Sequence, residues 1–301
     1  AKAKVDAEND FIIAEKTGNE WRIFRKDYLM KDGTMATTLV KSLWSDNTIN
    51  NDYGKKAIKE LFGSNVMSFP KAPELIKKML LIGTRSDSIV LDFFSGSATT
   101  ADAVMSLNAE DGGNRKFIMV QLPEPCDAKS EAFKSGYSTI AEIGKERIRR
   151  VGKKIVEDKP LLTNGLDIGF RAFRVDDTNM NNVYYSAFDY SQDLISLLES
   201  NVKSDRTDLD LLFSCLLEWG LPLSLPYSSE KIEGYTVHNY NDGDLIACFD
   251  ENIPDSVIKE IAKQQPLRAV FRDSSFAGSP SKINVGEIFK LMAPDTTVKV
   301  I

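Results

Sequence analysis

The chain has 301 residues, of which 42% are hydrophobic and 27% are charged, and its net charge is −6. This composition is typical of a globular protein of about two domains and excludes an intrinsically disordered chain. No apolar run approaches the roughly 18 residues of a membrane span and no secretory signal opens the sequence, so we expect neither an anchor nor a leader.

The first predicted region, residues 1–66, is polar and irregular. Residues 21–25 alternate in the manner of a β-strand, and residues 31–33 predict a turn.

The second predicted region, residues 67–165, alternates strand and helix signals. Pro73 is suited to the first turn of a helix, and an apolar stripe follows it. The pattern then predicts a buried strand (89–94), a tight turn (95–97), a helix (99–107), a second buried strand (116–121) and a long helix (137–156). This order indicates an α/β fold whose parallel strands are joined by right-handed crossovers.

The third predicted region, residues 166–301, has the signals of a smaller C-terminal α/β domain. It begins with a strand at 170–175, continues with an amphipathic helix at 207–219, and contains short strands such as 245–249. Residues 186–301 hold 10 Lys/Arg and 18 Asp/Glu, a net charge of −8, whereas residues 1–185 carry a net charge of +2. Because an acidic surface repels phosphates, we expect this domain to bind protein partners rather than DNA.

Cysteine and histidine are too scarce for several kinds of site. Cys126, Cys215 and Cys248 form no C-x-x-C pair, which argues against a cysteine zinc site or a disulfide framework and favours a reducing cytoplasm. His238 is the only histidine, so neither a Ser-His-Asp triad nor a multi-histidine metal site is expected. We predict a cytoplasmic protein without a metal, in which His238 is an ordinary surface or strand residue.

The segment 91–101, LDFFSGSATTA, is the most informative stretch of the sequence. It predicts a strand end, a turn of small residues and a helix start, and ligands of open α/β sheets bind at the carboxyl ends of strands. Gly96 would let the backbone approach a ligand, and the first amides of the helix can bind a carboxylate or a phosphate. Neither G-x-G-x-x-G nor the P-loop pattern is met. A turn used only for tight packing stays open as an alternative.

Four further segments accompany it in a fixed order: 69–75 (FPKAPEL), 120–125 (VQLPEP), 136–148 (GYSTIAEIGKERI) and 169–175 (GFRAFRV). The ordered set resembles the DNA adenine-N6 methyltransferases in which the cofactor motifs follow the catalytic motif. The resemblance is closest to the modification subunits of type III restriction-modification systems. It implies a Rossmann-like fold, with residues 67–165 as the cofactor-binding part of the methyltransferase domain and residues 1–66 as the end of the target-recognition region.

The resemblance also implies S-adenosylmethionine as the cofactor. Asp92, Phe94, Gly96, Ser97 and Thr99 would surround its methionine half, and Phe69 and Lys71 would lie alongside. Gln121 or Glu124 would contact the ribose, a choice that the sequence leaves open. Ala98 replaces a glycine that is usual in the turn, which is tolerable if its φ is negative, and Ala72 replaces a usual proline.

One departure from the family pattern concerns catalysis itself. The family grips a flipped-out adenine with a D/N/S-P-P-Y/F motif, yet none of the eleven prolines here is adjacent to another. No catalytic residue is therefore assigned, and we expect a C-terminal part of a larger subunit that is inactive alone. The implied partners are DNA (through the intact subunit), a second copy of that subunit and the restriction subunit. The alternatives are a non-catalytic module that docks the restriction subunit and a methyltransferase for another substrate.

Two clusters of cationic residues can each be interpreted in two ways. Lys145, Arg147, Arg149, Arg150, Lys153 and Lys154 form either a solvated helix face or a phosphate-binding surface. Trp21, Arg22, Arg25, Lys26 and Tyr28 form either the end of the recognition region or an ordinary strand pair.

Overall fold

The computed structural model describes residues 2–26, 28, 30–31, 34–35, 39–158, 165–181 and 202–301. It divides into two compact units, Ala1–Gly169 and Phe170–Ile301, and each is described here by itself. Two positions of the predicted turn at 31–33 lie outside the described residues, as do residues 186–201 of the acidic region.

The first unit combines helices with three two-stranded sheets. Its elements are α1 (Lys2–Glu8), β1 (Ile12–Thr17), β2 (Glu20–Arg25), β3 (Met30–Lys31), β4 (Thr34–Met35), α2 (Asn51–Phe62), α3 (Pro73–Gly83), β5 (Ile89–Phe93), α4 (Thr99–Asp111), β6 (Lys116–Val120), α5 (Glu131–Lys134) and α6 (Ile140–Asp158). Strands β5 and β6 are parallel, with Ile89 beside Lys116 and Phe93 beside Val120, and α4 connects them. The predicted strand–helix–strand arrangement with a parallel pair is confirmed.

Local sequence explains where the helices of this βαβ region begin and end. Pro73 occupies the first turn of α3, where a missing N–H costs nothing. Helix α4 runs four residues further than predicted and ends at Gly112, which adopts a left-handed φ of 69°. Helix α6 begins three residues later than predicted, because the preceding residues pair with the segment after β6: the Cys126 amide donates to the Ser138 carbonyl at 2.9 Å.

The two faces of the β5–β6 sheet have different surroundings. On one face, Val90 and Phe117 pack against Leu80, Val104 and Leu107 of α3 and α4. The opposite face is formed by Ile89, Leu91 and Phe93 of β5 and by Ile118 and Val120 of β6, and each of these side chains is between 44% and 67% exposed. We call these five residues the bare face. The prediction that both strands are buried is therefore wrong: one side of the sheet is half-buried and the other is exposed.

The second unit contains a five-stranded sheet with helices on both faces. Its elements are α7 (Asp208–Glu218), β7 (Tyr227–Ile232), β8 (Tyr235–Tyr240), β9 (Leu245–Cys248), α8 (Asp255–Lys263), β10 (Arg268–Phe271), α9 (Ser279–Met292) and β11 (Thr297–Val300). The strand order is β11-β10-β9-β8-β7; β9, β10 and β11 are parallel, and β7 and β8 form an antiparallel hairpin that continues the sheet. Residues of α8 and α9 bury one face and residues of α7 bury the other.

The predicted strand at 170–175 is wrong, because this segment has no strand geometry. Side-chain contacts of Arg171 hold the segment in place instead. The guanidinium lies over the rings of Phe213 and Tyr227, 5.5 and 5.3 Å from their centroids, and donates to the carbonyls of Leu223 and Leu225. Cation–π attraction of a guanidinium to aromatic rings is favourable and does not need a strand ladder.

The predicted helix at 207–219 is confirmed as α7, with Thr207 as its N-cap. The Thr207 hydroxyl accepts from the Asp210 amide, and the Asp210 carboxylate accepts from the Thr207 amide at 2.8 Å, which forms a reciprocal capping box. The backbone and side-chain hydrogen bonds from Thr207 lower the pKa of Asp210 below its ordinary value. The carboxylate also complements the positive end of the helix dipole.

The environments of His238 and of the two buried cysteines indicate structural roles. His238 lies on β8 at 4% exposure, with Ser229 Oγ 2.8 Å from one ring nitrogen and Asp208 3.4 Å from the other. The prediction of a strand histidine is confirmed. Burial raises the pKa of Cys215 to about 11 and that of Cys248 to about 12, so neither thiol is a nucleophile at neutral pH.

Within the described ranges, His, Cys, Asp and Glu residues form no group of three suited to a metal ion. None of the helices in that part of the chain is long and apolar enough to cross a membrane.

Candidate functional site

The turn that joins β5 to α4 contains two residues with left-handed backbone. Gly96 has a φ of 54° and Ala98 a φ of 57°. The expectation that an alanine at position 98 is tolerable because its φ is negative is therefore wrong. A left-handed alanine costs about 1 kcal/mol that a glycine would not, so other contacts must hold this turn in shape.

Gln121 provides one of these contacts from the end of β6. Its Oε1 accepts a hydrogen bond from the Gly96 amide at 2.7 Å, and the Val120 carbonyl accepts one from the Ser95 amide at 3.0 Å. The side-chain oxygen of Gln121 therefore supports the turn. The side chain of Glu124 is exposed, while its carbonyl accepts from the Ile140 amide at 3.0 Å. Of the two residues considered for the ribose, Glu124 has the exposed carboxylate.

Asp92 and Thr100 join the strand end to the first turn of α4. The Thr100 hydroxyl donates to Oδ2 of Asp92 at 2.5 Å, and the Asp92 side chain is half-buried. This hydrogen bond fixes the carboxylate at the carboxyl end of β5, the location predicted for it.

The side chains of Ser97 and Thr99 face the protein interior. Ser97 is 3% exposed and Thr99 is 6% exposed. Both hydroxyls accept from Nη1 of Arg147 on α6, at 3.1 and 2.7 Å. Arg147 thus holds both side chains toward the protein interior.

Phe69, Lys71 and Phe94 have exposed side chains, with Phe69 at 77% and Phe94 at 63%. The segment that carries the first two passes close to the turn: a Cβ added to Gly96 would lie 3.7 Å from the methyl of Met67 and would meet no other nearby atom. The same segment packs tightly on α2, where a Cβ on Gly54 would lie 2.2 Å from the Pro70 carbonyl oxygen. The glycine at 96 therefore leaves open space at the turn.

The six cations of the predicted basic cluster do not share one face. Arg147 is completely buried, so both interpretations are wrong for this residue. Arg150 reaches α2, where its Nη1 donates to the Leu61 carbonyl at 3.1 Å and its guanidinium lies over Phe62. Arg149 and Arg150 pair with Glu146, and hydrogen bonds from Arg150 first and Arg149 second lower the pKa of that carboxyl. Carboxylates on α6 thus neutralise much of the positive charge.

Three residues at the turn were not assigned a role in the sequence analysis: Arg147, Gly144 and Asp102. Gly144 and Arg147 are three positions apart on α6 and both are buried against the turn. Their spacing in the sequence could have indicated that they act together, because residues at i and i+3 lie on one side of a helix.

Residues 3–151 match the family model described as DNA methylase. These 149 residues, just under half of the chain, are similar to DNA methylases. The match ends within α6, so the DNA methylase segment contains the parallel strands, the turn and both of its supports, Gln121 and Arg147.

Relatives with assigned functions extend the similarity beyond the DNA methylase segment. The chain is 48% identical over 129 residues to the Mod subunit of the type III restriction-modification enzyme StyLTI from Salmonella typhimurium, covering 43% of this chain and 20% of the relative. It is 32% identical over 216 residues to the EcoPI Mod subunit from Escherichia phage P1, covering 69% and 31%. It is 28% identical over 296 residues to the EcoP15I Mod subunit from Escherichia coli, covering 93% and 41%. The chain thus spans between a fifth and two fifths of the length of these relatives.

Proposed function

We propose that the chain is the cofactor-binding, C-terminal portion of a DNA adenine-N6 methyltransferase, the modification subunit of a type III restriction-modification system. The observation that carries the proposal is the turn after β5, with a left-handed Gly96 that leaves open space at the end of a parallel strand. Ligands of α/β sheets bind at this place in the fold, and the turn lies in the segment that matches the DNA methylase family.

The bare face supports the larger Rossmann-like fold. Parallel sheets are almost always covered on both faces, because their strands are apolar on both sides. Leu91 and Phe93 are 56% and 67% exposed, and no described part of the chain covers them. We infer that further polypeptide of the same methyltransferase domain packs on this face. Residues 67–165 are then one part of the domain, and residues 1–66 are the end of the target-recognition region.

The residues around the turn suit S-adenosylmethionine. Bound there, this cofactor supplies a methyl group activated by its positive sulfonium. The amides of Ser97 and Thr99, at the start of α4, would bind its carboxylate, because the first amides of a helix lack partners within the helix. Asp92 would accept from its ammonium group, Phe69 and Phe94 would offer apolar contact, Lys71 would lie beside them, and Glu124 would accept from the ribose hydroxyls.

The chain's contribution to the reaction is positioning. In direct methyl transfer the donor and the acceptor nitrogen have to be held in line, and this alignment supplies much of the rate enhancement. The adenine-gripping motif has no counterpart among the eleven prolines of the chain, so we place the catalytic residues on polypeptide outside it.

The second unit is proposed as the interaction domain, which contacts a second copy of the subunit or the restriction subunit. Its acidic charge does not suit phosphates, and Leu217, Ile283 and Leu291 are 65%, 70% and 82% exposed on its helices. Deleting residues 186–301 from the full-length protein should weaken assembly, measured by size-exclusion chromatography, more than affinity for DNA.

A methyl-transfer assay tests the proposed function. The full-length protein, given S-adenosylmethionine with a tritiated methyl group, should label adenine in duplex DNA, and the 301-residue chain alone should label none. Labelling of RNA or protein instead of DNA would show a methyltransferase for another substrate. Absence of cofactor binding would favour the non-catalytic assembly module. Turnover by the isolated chain would show that the catalytic residues are misplaced.

A further inference from the structure

Arg147 has the most complete set of partners of any buried charge in the first unit. Its side chain is 0% exposed. Nε and Nη2 donate to Oδ2 of Asp102 at 3.0 and 2.8 Å, while Nη1 donates to Thr99 Oγ1 at 2.7 Å and to Ser97 Oγ at 3.1 Å. One edge of the guanidinium therefore binds α4, and the remaining nitrogen binds the turn.

This division of donors depends on the shape of arginine. A guanidinium presents its N–H groups in a rigid plane, so a partner on one edge fixes the direction of the opposite nitrogen. Asp102 orients Arg147, and Arg147 in turn orients residues 97–99. A lysine could pair with Asp102 as a point charge, but it has no second nitrogen at a fixed angle for the turn.

The turn needs such support because its backbone is strained. Ala98 has a φ of 57° in the left-handed region, and residues in such conformations persist only where their surroundings over-determine them. Helix α6 also presses on the turn through its backbone: a Cβ on Gly144 would lie 3.3 Å from the Gly96 carbonyl oxygen and 3.5 Å from Ala98 Cβ. Two contacts from α6 hold the turn: the Arg147 side chain binds Ser97 and Thr99, and the backbone at Gly144 approaches Gly96 and Ala98.

We propose that Arg147 is a positioning residue of the cofactor site: paired with Asp102, it holds the turn so that the backbone amides of Ser97 and Thr99 face S-adenosylmethionine, while the Ala98 amide donates to the Ser95 carbonyl at 2.8 Å. This role rests on the proposed function. Arg147 itself touches no ligand, because its donors are used within the protein and its side chain is fully buried.

A matched pair of variants separates positioning from general stability. Arg115 is also buried, at 7% exposure, and pairs with Asn108 and Asp111 at the opposite end of α4. Arg147→Lys and Arg115→Lys in the full-length protein should each lower the melting temperature. Only Arg147→Lys should weaken S-adenosylmethionine binding in calorimetry, by roughly 10- to 100-fold, the equivalent of losing hydrogen bonds to a charged group.

Steady-state kinetics adds a measurement that loss of folded protein does not change. A smaller folded fraction lowers the apparent kcat and leaves KM alone, whereas a misplaced turn raises the KM for S-adenosylmethionine. We expect Arg147→Lys to raise the KM for S-adenosylmethionine and to leave the KM for DNA within about twofold of wild type. A twofold change is small, because a tenfold change corresponds to only about 1.4 kcal/mol.

Gly144→Ala tests the second contact between α6 and the turn without changing any charge, and it still shows whether the shape of the turn controls cofactor binding if Arg147→Lys does not fold. Alanine favours a helix interior more than glycine does, so the free energy of unfolding should not fall greatly. Its methyl group would nevertheless push on the Gly96 carbonyl, and cofactor affinity should drop several-fold, on the order of 1 kcal/mol.

The outcomes distinguish this proposal from the proposed function. If wild type binds S-adenosylmethionine and both Arg147→Lys and Gly144→Ala keep wild-type affinity, Arg147 serves stability only and the positioning role is wrong. If wild type itself fails to bind, the proposed function falls, and the positioning role falls with it.

Discussion

The β5–β6 sheet and the five-stranded sheet contain strands of the same sequence type but have different surroundings. Strand β5 (IVLDF) and strand β9 (LIAC) are both short apolar runs typical of parallel sheets. All four residues of β9 are buried, whereas residues of β5 alternate between exposed and half-buried. The second unit supplies helices to both faces of its sheet, and the described part of the first unit supplies them to one. The comparison indicates that an apolar strand pattern predicts the cover that a strand needs, including cover that the described residues do not provide.

Truncating one residue in each sheet gives the largest expected effect. Ile246→Ala on β9 removes a side chain that is 1% exposed and should lower the free energy of unfolding of the second unit by about 2–5 kcal/mol. Leu91→Ala on the bare face removes one that is 56% exposed and should cost less than about 1 kcal/mol in the 301-residue chain. Urea denaturation of both variants measures the difference.

The same two variants, Ile246→Ala and Leu91→Ala, can also be measured in the full-length protein. If further polypeptide covers the bare face there, the cost of Leu91→Ala should rise to that of a core residue, about 2–5 kcal/mol. An unchanged small cost in the full-length protein would mean that the bare face stays exposed and that our completion of the fold is wrong.

The second effect concerns the turn and separates strain from ligand contact. Gly96→Val and Gly112→Val both place a branched residue at a left-handed φ, of 54° and 69°, so both should destabilise the first unit by about 1–2 kcal/mol. Only Gly96→Val also fills the open space at the end of β5, and it should abolish S-adenosylmethionine binding by the full-length protein. Calorimetry with both variants provides the test. Equal loss of affinity in the two would point to strain, and unchanged affinity in Gly96→Val would remove Gly96 from the site.

The smallest effect concerns Glu146 on α6, which pairs with Arg149 and Arg150. Hydrogen bonds from Arg150 and Arg149 lower the folded-state pKa of Glu146 below its ordinary value of 4.5. The carboxylate therefore stabilises the folded state above pH 4.5, and this contribution is lost as the pH falls through the lowered value.

Glu146→Gln should accordingly lower the free energy of unfolding at pH 7 by at most about 1 kcal/mol. The difference from wild type should disappear below the folded-state pKa of Glu146. Thermal denaturation at a series of pH values checks this dependence. A difference that persists in acid would mean that Glu146 acts through packing rather than through its charge.

The sequence by itself determined the parallel β5–α4–β6 arrangement and the position of the turn. Apolar runs of strand length, bounded by small residues and by prolines, encode this arrangement locally, and Gly96 identifies the turn because glycine readily adopts a left-handed backbone. Helix α7 was predictable for the same kind of reason, since the hydroxyl of Thr207 and the carboxylate of Asp210 cap it within one turn.

Tertiary structure alone decided which side chains of the turn face outward. Arg147 belongs to a run of cations that looks like a solvated helix face, and only the approach of Asp102, 45 positions away in the chain, makes its burial favourable. The buried Arg147 also donates to the hydroxyls of Ser97 and Thr99, which therefore face inward, and we propose that the amides of these two residues bind the ligand. A buried charge is stable only with a partner, and the identity of that partner depends on which helices pack together, which no local pattern specifies.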